Sequence, residues 1–311
     1  MGLSVCETKI DAQGRELLEH GTTLFPMACY HDDLQKEWVP WHWHEELELI
    51  LVTEGKAVVA ADSEKHILRQ GEGCFINAEV LHAAWNAGNE GCRFHSVVFH
   101  PRLVGGSMDS IFWQNYLLPL MEEKSLKMCC FQKEISWQRS AMETMENAWQ
   151  ACVREKAGYE FQVRSELSKL IFLLNSNRPV RQKPVSEKVL RDGERIKQML
   201  QYVQAHYMEE LQVAEIAESA SVSASECLRC FRNTIGITPM QYVIQFRVEK
   251  AAVLLTDTEM KITEIGARCG FLEMSYFART FRRVKGCTPS EYRRNKREKQ
   301  YHMGTGGLLG V

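Results

Sequence analysis

The sequence predicts a multidomain β plus α fold. It comprises an N-terminal β-barrel of the jelly-roll type with a helical hairpin, and an all-α C-terminal domain built from a double helix-turn-helix. Three observations predict this fold: short apolar runs fill the first third of the chain, helical spacing of apolar residues replaces them further on, and a motif recurs in the last third at an interval of about 50 residues. The length of 311 residues also exceeds what one ordinary core accommodates, so more than one domain is expected.

Residues 1–105 are predicted to form the barrel. Segments 47–53, 55–61 and 93–99 are apolar over strand-sized lengths and are separated by glycine and other turn residues. Many short strands with regular breaks are typical of a β-barrel or jelly roll.

Residues 106–177 are predicted to contain the helical hairpin. Apolar residues recur at helical spacing over 135–156 and 159–175, with Gly158 between the two segments. Such a hairpin can cover the barrel or pair with a second subunit. We expect the protein to be a homodimer that forms through this hairpin.

The segment 178–190 is interpreted as a linker, because it is polar and contains Pro179 and Pro184. Residues 191–297 then form the predicted helical domain, and 298–311 a flexible tail.

Composition is that of an ordinary globular protein, with 45% hydrophobic and 25% charged residues. The longest apolar runs are too short to cross a bilayer, and the N-terminus lacks the features of a secretory signal, so a cytoplasmic protein without a membrane partner is expected.

The eleven cysteines are irregularly spaced and are expected to be reduced thiols. Cys227 of the Cys227-x-x-Cys230 pair falls on an apolar helix face, which favours a core role over a redox or metal motif.

Charge is distributed unequally along the chain. Residues 1–187 contain 19 Lys/Arg and 26 Asp/Glu, whereas 188–311 contain 19 and 14. A basic C-terminal third beside an acidic remainder indicates a module that binds a polyanion. A solvated basic tail would give the same balance, so charge alone does not decide.

The C-terminal third contains an internal repeat. Residues 213–217 (VAEIA) recur as 262–266 (ITEIG), and 236–239 (GITP) recur as 286–289 (GCTP). Each copy predicts a short helix, a tight turn and a second helix, which is the helix-turn-helix arrangement.

The second helix of each copy has two distinct faces. Cys227 and Phe231 in the first copy, like Phe277 and Phe281 in the second, are four residues apart and should face the core. Arginines and small residues lie opposite, where they can contact base edges and phosphates of double-stranded DNA. A solvated amphipathic helix is the alternative, but duplication in a basic domain favours DNA. The candidate DNA-contacting residues are Ser225, Leu228, Arg229 and Arg232, then Ser275, Arg279, Arg282 and Arg283, and finally Arg294.

Residues 191–295 resemble the DNA-binding domain of the AraC/XylS family of bacterial regulators. The resemblance rests on 265–293, including SYFARTFRR at 275–283 and GCTPSEYR at 286–293. It implies two helix-turn-helix units joined by a long helix at about 240–255, a promoter as the DNA partner, and a non-enzymatic regulator, here an activator that contacts RNA polymerase. Cys227 and Leu228 depart from the family pattern, which places base reading by the first unit in doubt.

A second resemblance concerns the barrel. His42-x-His44 with Glu48, followed by His82, is similar to the two motifs of the cupin barrel, and strand alternation points these side chains to one side. In metal-binding cupins the matching positions bind a divalent metal such as Fe, Mn, Ni or Zn. We expect no cofactor here and instead a pocket for a small-molecule effector such as a sugar, while histidines hydrogen-bonded in a filled core are a third interpretation. The candidate pocket residues are Trp41, His42, Trp43, His44, Glu48, His82 and Trp85.

Two functions therefore compete. A regulator with an effector-binding barrel explains both halves of the chain. A metal-dependent cupin enzyme with a helical appendage explains the histidines but not the duplicated basic domain. A pH or redox sensor is a third class. The expectation is a regulator without catalytic residues.

Overall fold

A computed structural model describes residues 20–34, 38–88, 91–177 and 187–294. The chain divides into two compact units, Met1–Lys197 and Gln198–Val311. In the described ranges the strands are β1 (Met27–Asp33), β2 (Val39–His42), β3 (Leu47–Glu54), β4 (Lys56–Ala61), β5 (Glu64–Arg69), β6 (Gly73–Ile76), β7 (His82–Asn86), β8 (Arg93–Phe99) and β9 (Met128–Phe131). The helices are α1 (Arg102–Gly105), α2 (Leu118–Met121), α3 (Ser136–Arg154), α4 (Tyr159–Asn177), α5 (Glu187–His206), α6 (Val213–Ser219), α7 (Ala224–Cys230), α8 (Pro239–Asp257), α9 (Ile262–Arg268) and α10 (Met274–Lys285), with π-helical turns at Trp113–Leu117 and Phe231–Ile235.

The strands form two antiparallel sheets, in the orders β1-β8-β3-β6-β9 and β2-β7-β4-β5. Alternation along β3 separates two environments, since Leu47 and Leu49 pack in the core shared with the hairpin while Ile50 and Val52 pack in a second core with residues of both sheets. Glu48 shares the Ile50 side of β3 and therefore points between the sheets. The predicted β-rich N-terminal half is confirmed.

The helical hairpin consists of α3 and α4. Helix α3 ends where Glu155 adopts a left-handed conformation, and Gly158, with a φ of 80°, turns the chain into α4. Buried residues of both helices share the core formed with the five-stranded sheet. The indole N–H of Trp149 donates to the backbone carbonyl of Tyr30 at 2.9 Å, which ties α3 to β1. The hairpin thus covers one face of the sheet.

The predicted linker lies mostly outside the described residues, which omit 178–186, as does the predicted tail at 298–311. Residues 187–190 are not linker, because they form the first turn of α5.

The C-terminal unit contains two helix-turn-helix copies, α6–α7 and α9–α10, joined by α8. Helix α7 begins where the Ser223 hydroxyl accepts a hydrogen bond from the backbone N–H of Glu226. The turn of the second copy requires glycine: Gly270 has a φ of 77°, and a Cβ there would lie 2.6 Å from the carbonyl oxygen of Tyr207. Among the described residues, no helix has the length and apolar character needed to cross a membrane.

Candidate functional site

Helix α10 has one buried and one exposed face. Phe277 and Phe281 are completely buried in a core that α8, α9 and α10 share. The opposite face of α10 is exposed. Residues three and four apart on this face are neighbours, because one helical turn contains 3.6 residues. The exposed side chains on that face include Ser275, Tyr276, Arg279, Arg282 and Arg283.

The sequence did not single out Leu272 and Tyr276 as contact residues. Leu272, in the turn before α10, is 90% exposed, and Tyr276 is 40% exposed beside the arginines. Tyr276 precedes Arg279 by three residues, which is the signal that could have placed it on the same face. An apolar side chain and an aromatic ring at this position can contact a thymine methyl or a sugar.

The second helix of the first copy presents a weaker positive surface. Arg229 is half-buried, and its guanidinium contacts both carboxylate oxygens of Glu226 at 2.7 and 2.9 Å, which neutralises its charge. Leu228 is also half-buried, while Ser225 and Arg232 are exposed. Within the first copy, Arg229 is thus held by Glu226, and its contact with DNA stays a prediction.

Two other arginines have structural partners. Arg247 donates to the backbone carbonyls of Tyr207 and Glu209 at 2.6 Å each, and burial lowers the pKa of its guanidinium. Arg293 donates to the carbonyl of Leu255 at 3.2 Å. Arg294, in contrast, is exposed beyond α10, which is the position expected for a phosphate contact.

The four predicted residues of the barrel come together. His42 on β2, His44 just after it, Glu48 on β3 and His82 on β7 are all buried. Their candidate ligand atoms lie within 4.8 Å of one another. Glu48 Oε2 lies 2.8 Å from Nε2 of His82 and 3.3 Å from Nε2 of His44.

The backbone fixes the orientation of all three imidazole rings. In each ring Nδ1 lies at hydrogen-bonding distance from a carbonyl oxygen two residues away, and a carbonyl can only accept, so Nδ1 carries a proton. Nε2 is then the atom that each ring presents to the cluster. The pairs are His42 with Pro40 at 2.8 Å, His44 with Glu46 at 3.1 Å and His82 with Val80 at 2.8 Å.

Glu48 is a carboxylate held in a fully buried position. Burial alone would raise the pKa of Glu48, but the charge of His82 and hydrogen bonds from His44 and His82 outweigh it and hold the pKa well below its usual value of 4.5. Glu48 is therefore a buried carboxylate that His44 and His82 stabilise.

The cavity beside this cluster is small. Its volume is about 20 Å³, and its lining includes His42, His44, Glu48 and His82. That is room for one water molecule or ion, whereas organic ligands generally occupy pockets of roughly 300–1,000 Å³. Among the described residues, this cavity as it stands is smaller than an organic effector requires.

The three tryptophans do not line this cavity, so their assignment to it is wrong. Trp41 and Trp43 alternate with His42 and His44 along the chain, which directs them to the opposite side. Trp85 likewise follows His82 by an odd number of positions on β7, and the Lys65 ammonium lies 5.6 Å from its ring centroid.

A larger concave surface lies on the hairpin. A groove of about 550 Å³ runs between α4 and the segment before α2. Phe161 and Phe172, which are 81% and 61% exposed, lie three helical turns apart on α4 and share one face. The lining residues are Val104, Phe112, Tyr116, Phe161, Arg164, Ser165, Ser168, Ile171 and Phe172.

Comparison with known proteins matches both halves of the chain. Residues 24–171 match the AraC-like ligand binding domain, and residues 216–295 match a helix-turn-helix domain. The chain belongs to the AraC family of transcriptional regulators. It accordingly combines a DNA-binding domain with a domain of the ligand-binding type.

Individual AraC-family relatives are similar over most of their length. The transcriptional regulator YdeC of Bacillus subtilis is 28% identical, over 92% of this chain and 97% of that protein. The transcriptional activator RhaS of Citrobacter koseri is 23% identical, over 89% and 97%. The solved DNA-binding domain of AdpA, in complex with a target DNA, is 31% identical and covers 32% of this chain and 91% of its own, with a TM-score of 0.32.

Proposed function

We propose that this AraC-family chain is a cytoplasmic transcriptional activator, not an enzyme. Its α10 reads bases in the major groove of a promoter, and its α7 chiefly positions the domain on the DNA backbone. RNA polymerase is the expected protein partner of the promoter-bound activator. The activator role of the similar RhaS proteins supports this direction of regulation.

The observation that carries the proposal is the exposed face of α10. Arg279, Arg282 and Arg283 project from a helix whose opposite face is fixed by two completely buried phenylalanines. A rigid helix with exposed arginines suits bidentate contacts to guanine and charge contacts to phosphate.

Selection of binding sites from a randomised DNA duplex tests the proposal. The full chain should enrich a defined sequence motif, and the double variant Arg279→Ala/Arg282→Ala should lose that enrichment. A matched control is the double variant Lys65→Ala/Arg69→Ala, which removes two positive charges from β5 of the barrel instead. The proposal is wrong if the wild-type chain enriches no motif.

We further propose that the chain is a homodimer, formed through the groove on the hairpin. Exposed aromatic residues spaced over three turns of α4 line this groove, and exposed apolar patches mark sites of protein association. A second copy of the same hairpin offers an equivalent apolar surface, as a two-fold symmetric interface requires.

Sedimentation velocity of the full chain at tens of micromolar tests this interface. The wild type should sediment as a dimer, and Phe161→Glu/Phe172→Glu as a monomer. Ile67→Glu, which also replaces an exposed apolar residue but on β5, should remain a dimer. A monomeric wild type would refute the interface.

A further inference from the structure

The two copies of the helix-turn-helix differ by one residue between the turn and the second helix. Ser221 and Gly270 are the equivalent left-handed residues of the two turns. The N-cap residues of the helices that follow are Ser223 and Glu273. The chain therefore reaches the cap two residues after the turn in the first copy and three residues after it in the second.

The additional residue is Leu272. The backbone N–H of Val222 donates to the carbonyl of Ala217 at 3.1 Å, and that of Phe271 donates to the carbonyl of Gly266 at 3.0 Å. These hydrogen bonds show that Val222 and Phe271 are equivalent. Leu272 thus stands alone between the matched turn and the start of α10.

Leu272 does not pack against the helix that it precedes. A hydrophobic residue just before the N-cap often packs against the fourth residue of its helix, which in α10 is Phe277. Here Phe271 makes that contact, because its buried ring lies 4.9 Å from the ring of Phe277 between centroids. Leu272 is 90% exposed.

The position of Leu272 matters more than its exposure, because single exposed apolar residues are common. It lies at the N-terminal end of α10, the end of a recognition helix that contacts base edges. Tyr276, whose ring centroid lies 6.1 Å from that of Phe271, is exposed on the first turn of the same helix. An apolar surface therefore precedes the arginines of α10.

The chemistry of leucine limits what it can contact in the major groove. Its side chain has no hydrogen-bond donor or acceptor, so it cannot pair with the polar atoms of guanine, cytosine or adenine. Covering those atoms would remove their water without replacing it, which costs free energy. The thymine methyl is the apolar group that base edges present in this groove.

We propose that Leu272 is a specificity-determining residue, which selects thymine at one position of the operator by contact with its methyl group. The proposal rests on the proposed function, in which α10 enters the major groove. It adds an apolar contact to the base and phosphate contacts of the arginines.

The test replaces each thymidine of the selected site, one at a time, by 2′-deoxyuridine, which lacks only the methyl group. The wild-type chain should bind about four-fold more weakly when one particular thymidine is replaced, the effect expected for one buried methyl group. Leu272→Ala should bind the unmodified site about four-fold or more weakly, and the same replacement should not weaken it further. Fluorescence titrations of labelled duplexes measure these affinities.

The matched control is Val253→Ala, which removes another exposed apolar side chain from the same unit, on α8. This variant should bind as the wild type does and should remain sensitive to deoxyuridine. An unchanged melting temperature of Leu272→Ala would show that its loss of affinity is not a loss of folding.

Specific binding of the wild type, measured as its preference for the selected duplex over a random one, separates the two possible failures. No preference would refute the DNA-reading function and the role of Leu272 together. A clear preference with no sensitivity to any deoxyuridine would overturn the role of Leu272 alone. The same holds if Leu272→Ala keeps the four-fold sensitivity of the wild type.

Discussion

At the scale of the residue, the neighbours Tyr276 and Phe277 have opposite roles on α10. Phe277 is completely buried between α8, α9 and α10, whereas Tyr276 reaches solvent beside the arginines. We expect Phe277→Ala to lower the free energy of unfolding by about 3–5 kcal/mol, because it leaves a cavity in a small core. Tyr276→Ala should change unfolding little but weaken binding to the selected DNA. Urea denaturation measures the free energy of unfolding of both variants, and a DNA titration measures their affinity. Equal destabilisation by Phe277→Ala and Tyr276→Ala would contradict the opposite roles of the two residues.

Arg279 and Arg294 should differ in what they contribute to binding. We expect Arg279→Ala to weaken binding to the selected site by about 1–3 kcal/mol, the usual value of a bidentate base contact. Arg294→Ala should weaken binding to all sequences alike, because an exposed charge beyond α10 is placed for phosphate. Fluorescence titrations on selected and random duplexes measure both, and equal losses for Arg279→Ala on the two duplexes would rule out its base-reading role.

Residue roles were predictable where periodicity alone decides them. Helical spacing placed Phe277 and Phe281 inside and Arg279 outside, as the structure shows. Trp41 does not line the cavity, because strand alternation and not chemical suitability for a pocket decides its side of the sheet. The carbonyl partners of the histidines were not predictable, since they depend on the path of the backbone around each ring.

At the scale of the element, the two turns of the repeat use the same backbone conformation with different residues. Ser221 and Gly270 occupy equivalent positions, with φ angles of 53° and 77°. The left-handed conformation is strained for serine but not for glycine. The repeat was visible in the sequence, whereas this strain was not, because Ser221 gives no sign of a left-handed turn.

We therefore expect Ser221→Gly to stabilise the C-terminal unit by about 0.5–1 kcal/mol. Gly270→Ala should destabilise it by more than about 1 kcal/mol, because its Cβ would meet the Tyr207 carbonyl. Hydrogen exchange of the backbone amides in α6–α10 measures both changes within the full chain. Faster exchange in Ser221→Gly would show that the serine turn is not strained.

At the scale of the whole molecule, the order of barrel, hairpin and duplicated helical domain followed from changes in apolar spacing and from the repeat. The volume of the barrel cavity could not be predicted from the sequence, because it depends on side chains such as Ile50 and Phe94 that meet from different strands. Residues 187–190 belong to α5, although the nearby prolines predict a linker there. Long-range packing, which a single sequence does not display, decides the cavity volume.

The most direct test of the account is hydroxyl-radical footprinting of the full chain on a DNA fragment that carries its selected site. Two helix-turn-helix units joined by α8 should protect two segments per chain, centred about one helical turn, or roughly 34 Å, apart. Arg279→Ala should remove protection chiefly from the segment that α10 contacts. A single protected segment, or protection no stronger than on random DNA, would contradict the central claim that both copies of the repeat form one sequence-specific DNA-binding unit.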